Sequence, residues 1–368
     1  MEGGIVKKLR IEMLPAEEGD ALWIEYGDPK KPRRMLIDGG VLGTHDRLLD
    51  QIEGINGKRR FELIMITHID NDHIDAMVKL LGKDLELEVG EFWFNAWEQI
   101  KVADTLGAKQ GEMLTERISE RGFPHHQMAG GKAIAIASDP STKLPVFEFP
   151  GGMTLTIVGP TPKDLGRLKA EWKKTIEGAG LVPGGEFTGA KLLEGAPRYQ
   201  KDRLGSAAPN VERWANRKFS EDSSAPNASS ISFLAEYGKR SVLFTGDARS
   251  GSLIEGLDRL LAERGETKLK IDAFKVPHHG SKNNLSNELM ERIDCKHFLV
   301  SSSGRKFNHP DSDTVARIIF HSQNPILHFN YWTKDNKDWD RATWKSELGY
   351  DTVFPEQDQT GLVVEFDA

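Results

Sequence analysis

Short apolar runs that end at glycine or at polar residues dominate the first part of the chain. Runs of this kind are typical of buried strands. They predict five strands, over 21–26, 34–38, 61–67, 92–95 and 154–158. Helical spacing of Met77, Leu80 and Leu81 predicts a helix after the third run, and an amphipathic helix is predicted over 111–121.

The second half of the chain repeats this alternation. A hairpin is predicted over 231–245, with its turn at 238–240. Further predictions are strands over 271–276, 297–301 and 361–366 and a helix over 285–293. Two groups of strands with helices between them predict an α/β layered chain. We interpret it as a single elaborated domain, 1–368, with a C-terminal elaboration over 313–368 that carries Trp332, Trp339 and Trp344.

A basic insertion is predicted over about 160–227. Lysine and arginine are mixed here with Gly, Pro and Ser, and few apolar residues recur. This predicts a partly helical segment near Trp172, followed by an exposed, mobile loop around 205–224. Its basic side chains could contact phosphates, or only solvate the loop. A third hypothesis is a regulatory flap that keeps the site latent until an activating protease cuts it.

Charge and composition narrow the class of protein. The chain has 49 Lys and Arg against 56 Asp and Glu, a net charge of −7, which argues against coating nucleic acid by bulk charge but allows a local basic groove. A single cysteine, Cys295, excludes an intrachain disulfide framework and a cysteine-rich zinc module. No apolar run approaches the roughly 18 residues of a membrane span, and 1–4 lack the features of a signal peptide. We therefore expect a cytoplasmic protein with no membrane partner; its oligomeric state stays open.

The densest chemical motif follows the predicted strand 61–67. His68, Asp70, Asp72 and His73 place four potential metal ligands within six residues, on a strand-to-helix connection where they can converge. Two carboxylates beside two imidazoles could also hold a second cation. A polar helix cap would explain Asp70 alone, but not two imidazoles in one turn.

Two later strand ends carry the same chemistry. Asp247 follows the hairpin, where its carboxylate could bridge two metal ions. His278 and His279 follow the predicted strand 271–276. Ligands on three strand ends predict an active site at one edge of a sheet.

Four further positions are weighed beside these ligands. Asp38 could orient a ligating histidine and Asp20 could line the site; the alternative is an ordinary turn aspartate. His309 could contact substrate or donate a proton, or have no role. The pair His125-His126 follows a Gly-Phe-Pro loop and is interpreted as surface.

These motifs resemble the metallo-β-lactamase-fold hydrolases, in particular the branch similar to the nuclease-like domain of the DNA-uptake protein ComEC. They stand here as Gly19-Asp20-Ala21, Ile37-Asp38-Gly39, His68 to His73, Gly246-Asp247, Pro277 to Ser281 and His309-Pro310. The resemblance implies a four-layer αββα sandwich with a binuclear metal site at one edge of the sheets.

By the same resemblance, His68 and Asp70 would bind one ion, Asp72 and His73 the other, and Asp247 would bridge them. One or both of His278 and His279 would complete the shell. The separate mid-chain histidine ligand of the family has no clear counterpart. Asp70 stands where the common pattern has histidine, and this harder ligand favours Mn²⁺ or Mg²⁺, with Zn²⁺ as an alternative.

The resulting prediction is a metal-dependent phosphodiesterase, a nuclease acting on DNA or RNA through a metal-bound hydroxide, with Asp72 and His309 as catalytic residues. The alternative is a small-molecule hydrolase that uses the same two metal ions on a cyclic nucleotide, a lactone or another ester. A binding module with a vestigial site would not need this number of potential ligands.

Overall fold

Strands and helices alternate along the chain, and the computed structural model describes them over residues 6–100, 109–177, 207–334 and 336–368. The strands are β1 Lys8–Met13, β2 Leu22–Gly27, β3 Arg33–Ile37, β4 Arg60–Phe61, β5 Leu63–Met65, β6 Glu88–Val89, β7 Phe92–Trp93, β8 Val146–Phe149, β9 Met153–Gly159, β10 Ser232–Tyr237, β11 Arg240–Phe244, β12 Leu269–Lys275, β13 Ile293–Val300, β14 Ile326–Phe329, β15 Asp351–Val353 and β16 Leu362–Asp367. The helices are α1 His45–Glu53, α2 Asn71–Leu81, α3 Trp97–Ile100, α4 Lys109–Glu120, α5 Pro162–Glu177, α6 Val211–Ala215, α7 Ala225–Ala228, α8 Ser250–Arg264, α9 Asn287–Met290, α10 Ser312–His321 and α11 Ala342–Leu348, with 3₁₀ turns at Leu42–Thr44, Pro277–Gly280 and Lys337–Asp340.

Two large sheets organise these elements. The first has the strand order β16-β1-β2-β3-β5-β7, and the second has the order β15-β14-β13-β12-β11-β10-β9-β8. The last strand returns to the first sheet, where β16 pairs antiparallel with β1. Inside the second sheet, β11, β12, β13, β14 and β15 run parallel, so their carboxyl ends meet at one edge.

The sheets pack face to face with helices outside. Alternate residues of β1, such as Ile11, join an apolar core with residues of the second sheet, such as Phe233. The opposite face of the first sheet, which includes Ile64, packs with Met77 of α2 in a second core. Helix α8 lies against β9, and Leu257 anchors it in the first core. The predicted αββα sandwich is therefore confirmed.

Most predicted elements are present with shifted ends. The predicted strand 61–67 is divided at Glu62 into β4 and β5. The predicted helix 285–293 is wrong over most of its length, because α9 is short and Ile293 already begins β13. No helix of the described residues combines the length and apolar character that a membrane crossing requires.

The predicted basic insertion is only partly described. Its helical first part is present as α5, whereas 178–206 lie outside the described residues, so the flap and its protease stay a hypothesis. The described stretch from residue 207 differs from an exposed loop. Helix α6 packs against α10. Its apolar residues Val211 and Ala215 are buried in the first core. The domain boundaries remain predictions.

Candidate metal centre

The first group of candidate ligands lies between β5 and α2. The buried strand ends at Met65, and α2 begins at Asn71 with Asp70 at its N-cap. The carboxylate of Asp70 makes no capping hydrogen bond, so it is available to a ligand. Asp72 and His73 lie in the first helical turn, where the positive end of the helix dipole favours an acidic side chain.

The second and third groups reach the same point from the other sheet. Asp247 follows β11 after Gly246, whose φ of +50° and close approach to Thr67 suit a residue without a side chain. His278 and His279 occupy the turn after β12, with φ values of 45° and 55°. Two consecutive left-handed non-glycine residues are strained, and such strain clusters at functional sites.

The carboxylate of Asp247 is the centre of the arrangement. Its Oδ2 lies 3.4 Å from Nε2 of His73, 3.4 Å from that of His279, 3.6 Å from that of His278 and 3.9 Å from that of His68. All four separations exceed the roughly 3.2 Å upper end of an ordinary N–H···O hydrogen bond. They are close to the roughly 3.4 Å between two ligand atoms that each lie about 2.1 Å from one tetrahedral ion.

Two more carboxylates lie on either side of Asp247. Asp70 Oδ2 lies 3.7 Å from His68 Nε2, and Asp72 Oδ2 lies 3.7 Å from His279 Nε2. The groups that could hold an ion therefore include His68, His73 and Asp247 on one side and Asp72, His73 and His279 on the other. The structure brings together all seven sequence-predicted ligands, and their metal-binding roles remain a prediction.

Polar partners orient three of the imidazoles. His73 Nδ1 lies 2.8 Å from Oδ2 of Asp38, whose carboxylate also accepts hydrogen bonds from the Thr67 amide and hydroxyl. His279 Nδ1 donates to the carbonyl of Ser301 at 3.0 Å. His68 Nδ1 lies 3.0 Å from Thr67 Oγ1.

Holding Nδ1 in this way turns Nε2 toward the centre. Among the described residues, the Nε2 atoms of His68, His73 and His279 and Oδ1 of Asp247 are buried without a hydrogen-bond partner. Buried polar atoms are rarely left unpaired. These residues therefore fit divalent metal ions, with the ring orientation that ligating histidines need.

His278 is held by residues that the sequence analysis missed. Its Nδ1 lies 3.0 Å from Asn284 Oδ1 and 3.4 Å from Asp222 Oδ2. Asp222 also accepts a hydrogen bond from Asn227 Nδ2 at 2.6 Å. No motif spacing links these residues, so no signal in a single sequence could have grouped them with the ligands.

Asp20 reaches the centre from the loop before β2. Its Oδ2 lies 2.8 Å from Nζ of the fully buried Lys275, and its Oδ1 lies 3.6 Å from His279 Nδ1. Gly19 permits this approach, because a Cβ there would lie 1.7 Å from the carbonyl oxygen of Asp72. Asp20 therefore lies beside the candidate ligands and Lys275 balances its charge, while its role in the site stays a prediction.

The charges inside the centre are strongly coupled. Burial lowers the pKa of His279, but the carboxylates of Asp247 and Asp20 outweigh burial and raise that pKa to about 10. Burial raises the pKa of Asp247, but the surrounding imidazoles hold it well below its usual range. Metal binding must therefore displace protons, which makes metal affinity depend on pH.

His309 also borders the centre. Its ring centroid lies 5.6 Å from that of His278, and its Nδ1 lies 3.5 Å from Asp311 Oδ2. Burial and the neighbouring charge of His278 hold the pKa of His309 well below its usual range. The ring is thus neutral at pH 7, and its role toward substrate stays a prediction.

The interpretation of His125-His126 as surface is wrong for His126. This residue is fully buried, accepts a hydrogen bond from the Phe94 amide at 2.9 Å and has Nδ1 2.7 Å from the Lys132 carbonyl. Both ring nitrogens are occupied by backbone groups, so its burial is structural. It does not replace the family's mid-chain histidine ligand.

The chain has distant similarity to known proteins. No protein-family model matches it. Its sequence is 24% identical over 149 residues to ComE operon protein 3 of Bacillus subtilis, a match that covers 38% of this chain and only 17% of that relative. The chain thus spans far less than two thirds of that relative.

Two solved structures align with nearly the whole chain. The metallo-beta-lactamase fold protein YhfI from Bacillus subtilis covers 98% of this chain and 100% of its own, at 12% identity and a TM-score of 0.40. CmlA, a diiron beta-hydroxylase from Streptomyces venezuelae, covers 99% of this chain and 55% of its own, at 11% identity and a TM-score of 0.40. The layered sheets and the sequence match confirm the resemblance to the metallo-β-lactamase-fold proteins and their ComEC-like branch.

Proposed function

We propose that the protein is a metal-dependent phosphodiesterase that cleaves nucleic acid. The observation that carries this proposal is the single Asp247 carboxylate with four imidazole Nε2 atoms within 3.9 Å. When bound there, two divalent cations would lower the pKa of a coordinated water and balance charge on a phosphate oxygen.

The donor set supports a phosphate substrate over a carboxylic ester. Besides Asp247, the carboxylates of Asp70 and Asp72 face the imidazoles. Oxygen-rich sites favour the harder ions Mn²⁺ and Mg²⁺, which commonly assist phosphoryl chemistry. The resemblance to a nuclease-like domain points the same way, and zinc remains a candidate because imidazole suits it.

Each side chain has a defined task in this proposal. His68 and Asp70 would hold one ion, Asp72 and His73 would hold the other together with one or both of His278 and His279, and Asp247 would be shared between them. Asp38 keeps His73 Nδ1 occupied so that Nε2 faces inward. His309, at the border of the centre, contacts the substrate and donates a hydrogen bond from its neutral ring to a substrate oxygen.

The first experiment measures hydrolysis with each metal in turn. Purified protein is incubated with supercoiled DNA, single-stranded DNA, RNA or bis(p-nitrophenyl) phosphate, together with Mn²⁺, Mg²⁺ or Zn²⁺. We expect cleavage that depends on the metal and disappears in Asp72→Ala. The matched control is His321→Ala, which removes an imidazole from the last turn of α10 and should retain activity.

Three outcomes separate the hypotheses. Cleavage of nucleic acid and of the small diester supports the proposal. Cleavage of the small diester alone moves the function to a small-molecule hydrolase. Failure of every substrate with every metal, in protein shown to bind metal, contradicts the proposal.

A further inference from the structure

A groove of about 500 Å³ is lined by residues outside the candidate metal centre, and the proposed function does not use it. Glu17 and Ser303 form part of its wall, and the aromatic ring of Trp332 borders it. Three basic residues, Arg47, Arg305 and Lys334, line the same opening.

The groove is structurally continuous with the metal centre. Glu17 lies three residues before Asp20, which bounds their Cα separation at about 11 Å. On the other wall, the Ser303 amide donates to the Glu17 carbonyl at 2.7 Å. Ser301, two residues earlier, accepts the hydrogen bond that orients His279. A segment of a few nucleotides therefore covers the separation between the groove and the metal centre.

Trp332 supplies an aromatic surface that the fold leaves open. The residue is 55% exposed, although tryptophan is usually well buried. Its ring lies on Phe354, with ring centroids 4.3 Å apart, and Phe354 in turn stacks on the buried Phe329 at 5.0 Å. One part of the indole therefore packs against Phe354, while much of its remaining surface faces solvent.

The charge of the groove is opposite to that of the whole chain. Arg305 Nη1 pairs with Glu17 Oε1 at 3.1 Å, and the Arg305 side chain is still 76% exposed. Arg47 Nη1 donates to the neutral Thr360 hydroxyl at 2.7 Å, so its charge is not balanced by that contact. With Lys334, three cations face one carboxylate in a protein of net charge −7.

We infer that this groove binds a single-stranded nucleic-acid segment next to the diester bond held at the metal centre. One unpaired base stacks on Trp332, and the flanking phosphates contact Arg47, Arg305 and Lys334. An unpaired base is required because the indole can stack only on an open base face. This inference rests on the proposed function, and it defines the substrate as a strand longer than a dinucleotide.

The aromatic contact is tested with oligonucleotides of about twelve nucleotides, in DNA and RNA versions of one sequence. Fluorescence anisotropy in EDTA measures binding without cleavage. We expect Trp332→Ala to weaken binding about 5- to 100-fold, and Trp332→Phe to stay within about threefold of the wild type. Turnover of bis(p-nitrophenyl) phosphate, which does not reach the groove, should not change. Phe320→Ala, which removes another exposed aromatic ring on α10, is the matched control.

The basic contacts are tested by salt dependence. For Arg47→Ala and for Arg305→Ala, the slope of log affinity against log salt should decrease by about 0.7 each, the value for one phosphate contact on a single strand. Arg264→Ala is the matched control, because Arg264 also pairs with a glutamate, Glu236, at 2.8 Å. Its salt slope should equal that of the wild type.

The outcomes distinguish this inference from the function on which it rests. If the wild type cleaves both substrates but Trp332→Ala binds the oligonucleotide normally, the groove inference is overturned and the proposed function stands. The groove inference is overturned in the same way if Phe320→Ala weakens binding equally. If the wild type cleaves nothing, the proposed function fails, and binding in EDTA still decides whether the groove takes a strand. A preference for DNA or RNA identifies the natural strand.

Discussion

Two adjacent-histidine pairs occur in this chain, and the fold treats them in opposite ways. His125 and His126 lie beside β7, where His125 Nε2 donates to the Phe94 carbonyl at 3.0 Å and His126 bonds to two backbone groups. His278 and His279 lie at the end of β12, where both Nε2 atoms face Asp247. The dipeptide alone therefore does not identify a ligand.

The electrostatic surroundings separate the pairs further. Burial, followed by the charge of His125, lowers the pKa of His126 to about 3. Nearby carboxylates overcome burial at His279 and raise its pKa to about 10. His126 thus has both ring nitrogens occupied by backbone groups, whereas His279 has a buried Nε2 that lacks a hydrogen-bond partner and faces the Asp247 carboxylate.

The sharpest test of this contrast removes the shared carboxylate. Asp247→Ala leaves the Nε2 atoms without a bridging partner, so we expect metal content to drop and diester hydrolysis to decrease at least about 10³-fold. Metal analysis after dialysis and initial-rate kinetics measure the two effects. His126→Ala should retain the metal and the rate constant, and a similar loss in both variants would refute the distinction.

A smaller effect is expected from the residue behind the ligand. Asp38→Ala removes the acceptor at His73 Nδ1, which leaves the ring free to rotate away from the centre. Loss of such a partner typically lowers metal affinity about 10- to 100-fold. Competition with a fluorescent chelator measures the affinity, and Asp38→Asn should recover part of it. Unchanged affinity in Asp38→Ala would show that packing alone orients His73.

Much of the centre could be predicted because its ligands follow strand ends. Asp247 and His278 succeed the adjacent parallel strands β11 and β12, whose carboxyl ends share one edge. Asp222 was beyond reach because it comes from a distant part of the chain, and Lys275, although it lies just before His278, carries no sign in the sequence that it pairs with Asp20. Their contacts exist only after the sheets pack.

Some misses in the fold had a usable signal. Helix α8 was not predicted, although Leu253, Leu257 and Leu260 recur at helical spacing and Gly265 ends the helix with a left-handed φ of 66°. The error at 285–293 is different in kind. Helix α9 ends at Met290, and pairing of Ile293 with Leu269, a contact between separate parts of the chain, already places Ile293 in β13.

Stability provides a third contrast. His126→Ala removes a buried ring and leaves the Phe94 amide and the Lys132 carbonyl without that partner. We expect the free energy of unfolding to decrease by about 2–4 kcal/mol, with hydrolysis per folded molecule unchanged. Urea unfolding followed by circular dichroism measures it. A stability equal to that of the wild type would mean that water replaces both hydrogen bonds.

The smallest expected effect is on the pH dependence of the free energy of unfolding, which should have opposite signs for the two histidine pairs. It is measured by unfolding in EDTA at pH 5.5 and 8. His126 has its pKa lowered to about 3 in the folded protein, so its neutral form stabilises the fold above the unfolded pKa of about 6.5. That contribution is lost as the pH decreases toward 3. His279, with its pKa raised to about 10, stabilises the metal-free fold fully below about pH 6.5 and loses this contribution as the pH increases toward 10.

The destabilisation caused by His126→Gln should therefore be smaller at pH 5.5 than at pH 8, and that caused by His279→Gln should be larger at pH 5.5 than at pH 8, each by on the order of 1 kcal/mol. Shifts of the same sign in both variants would contradict the electrostatic difference between the pairs. Restoring a divalent ion should reverse the pH dependence of His279 and leave that of His126 unchanged, because a ligating imidazole is held deprotonated in the folded protein and protons compete with the metal as the pH decreases.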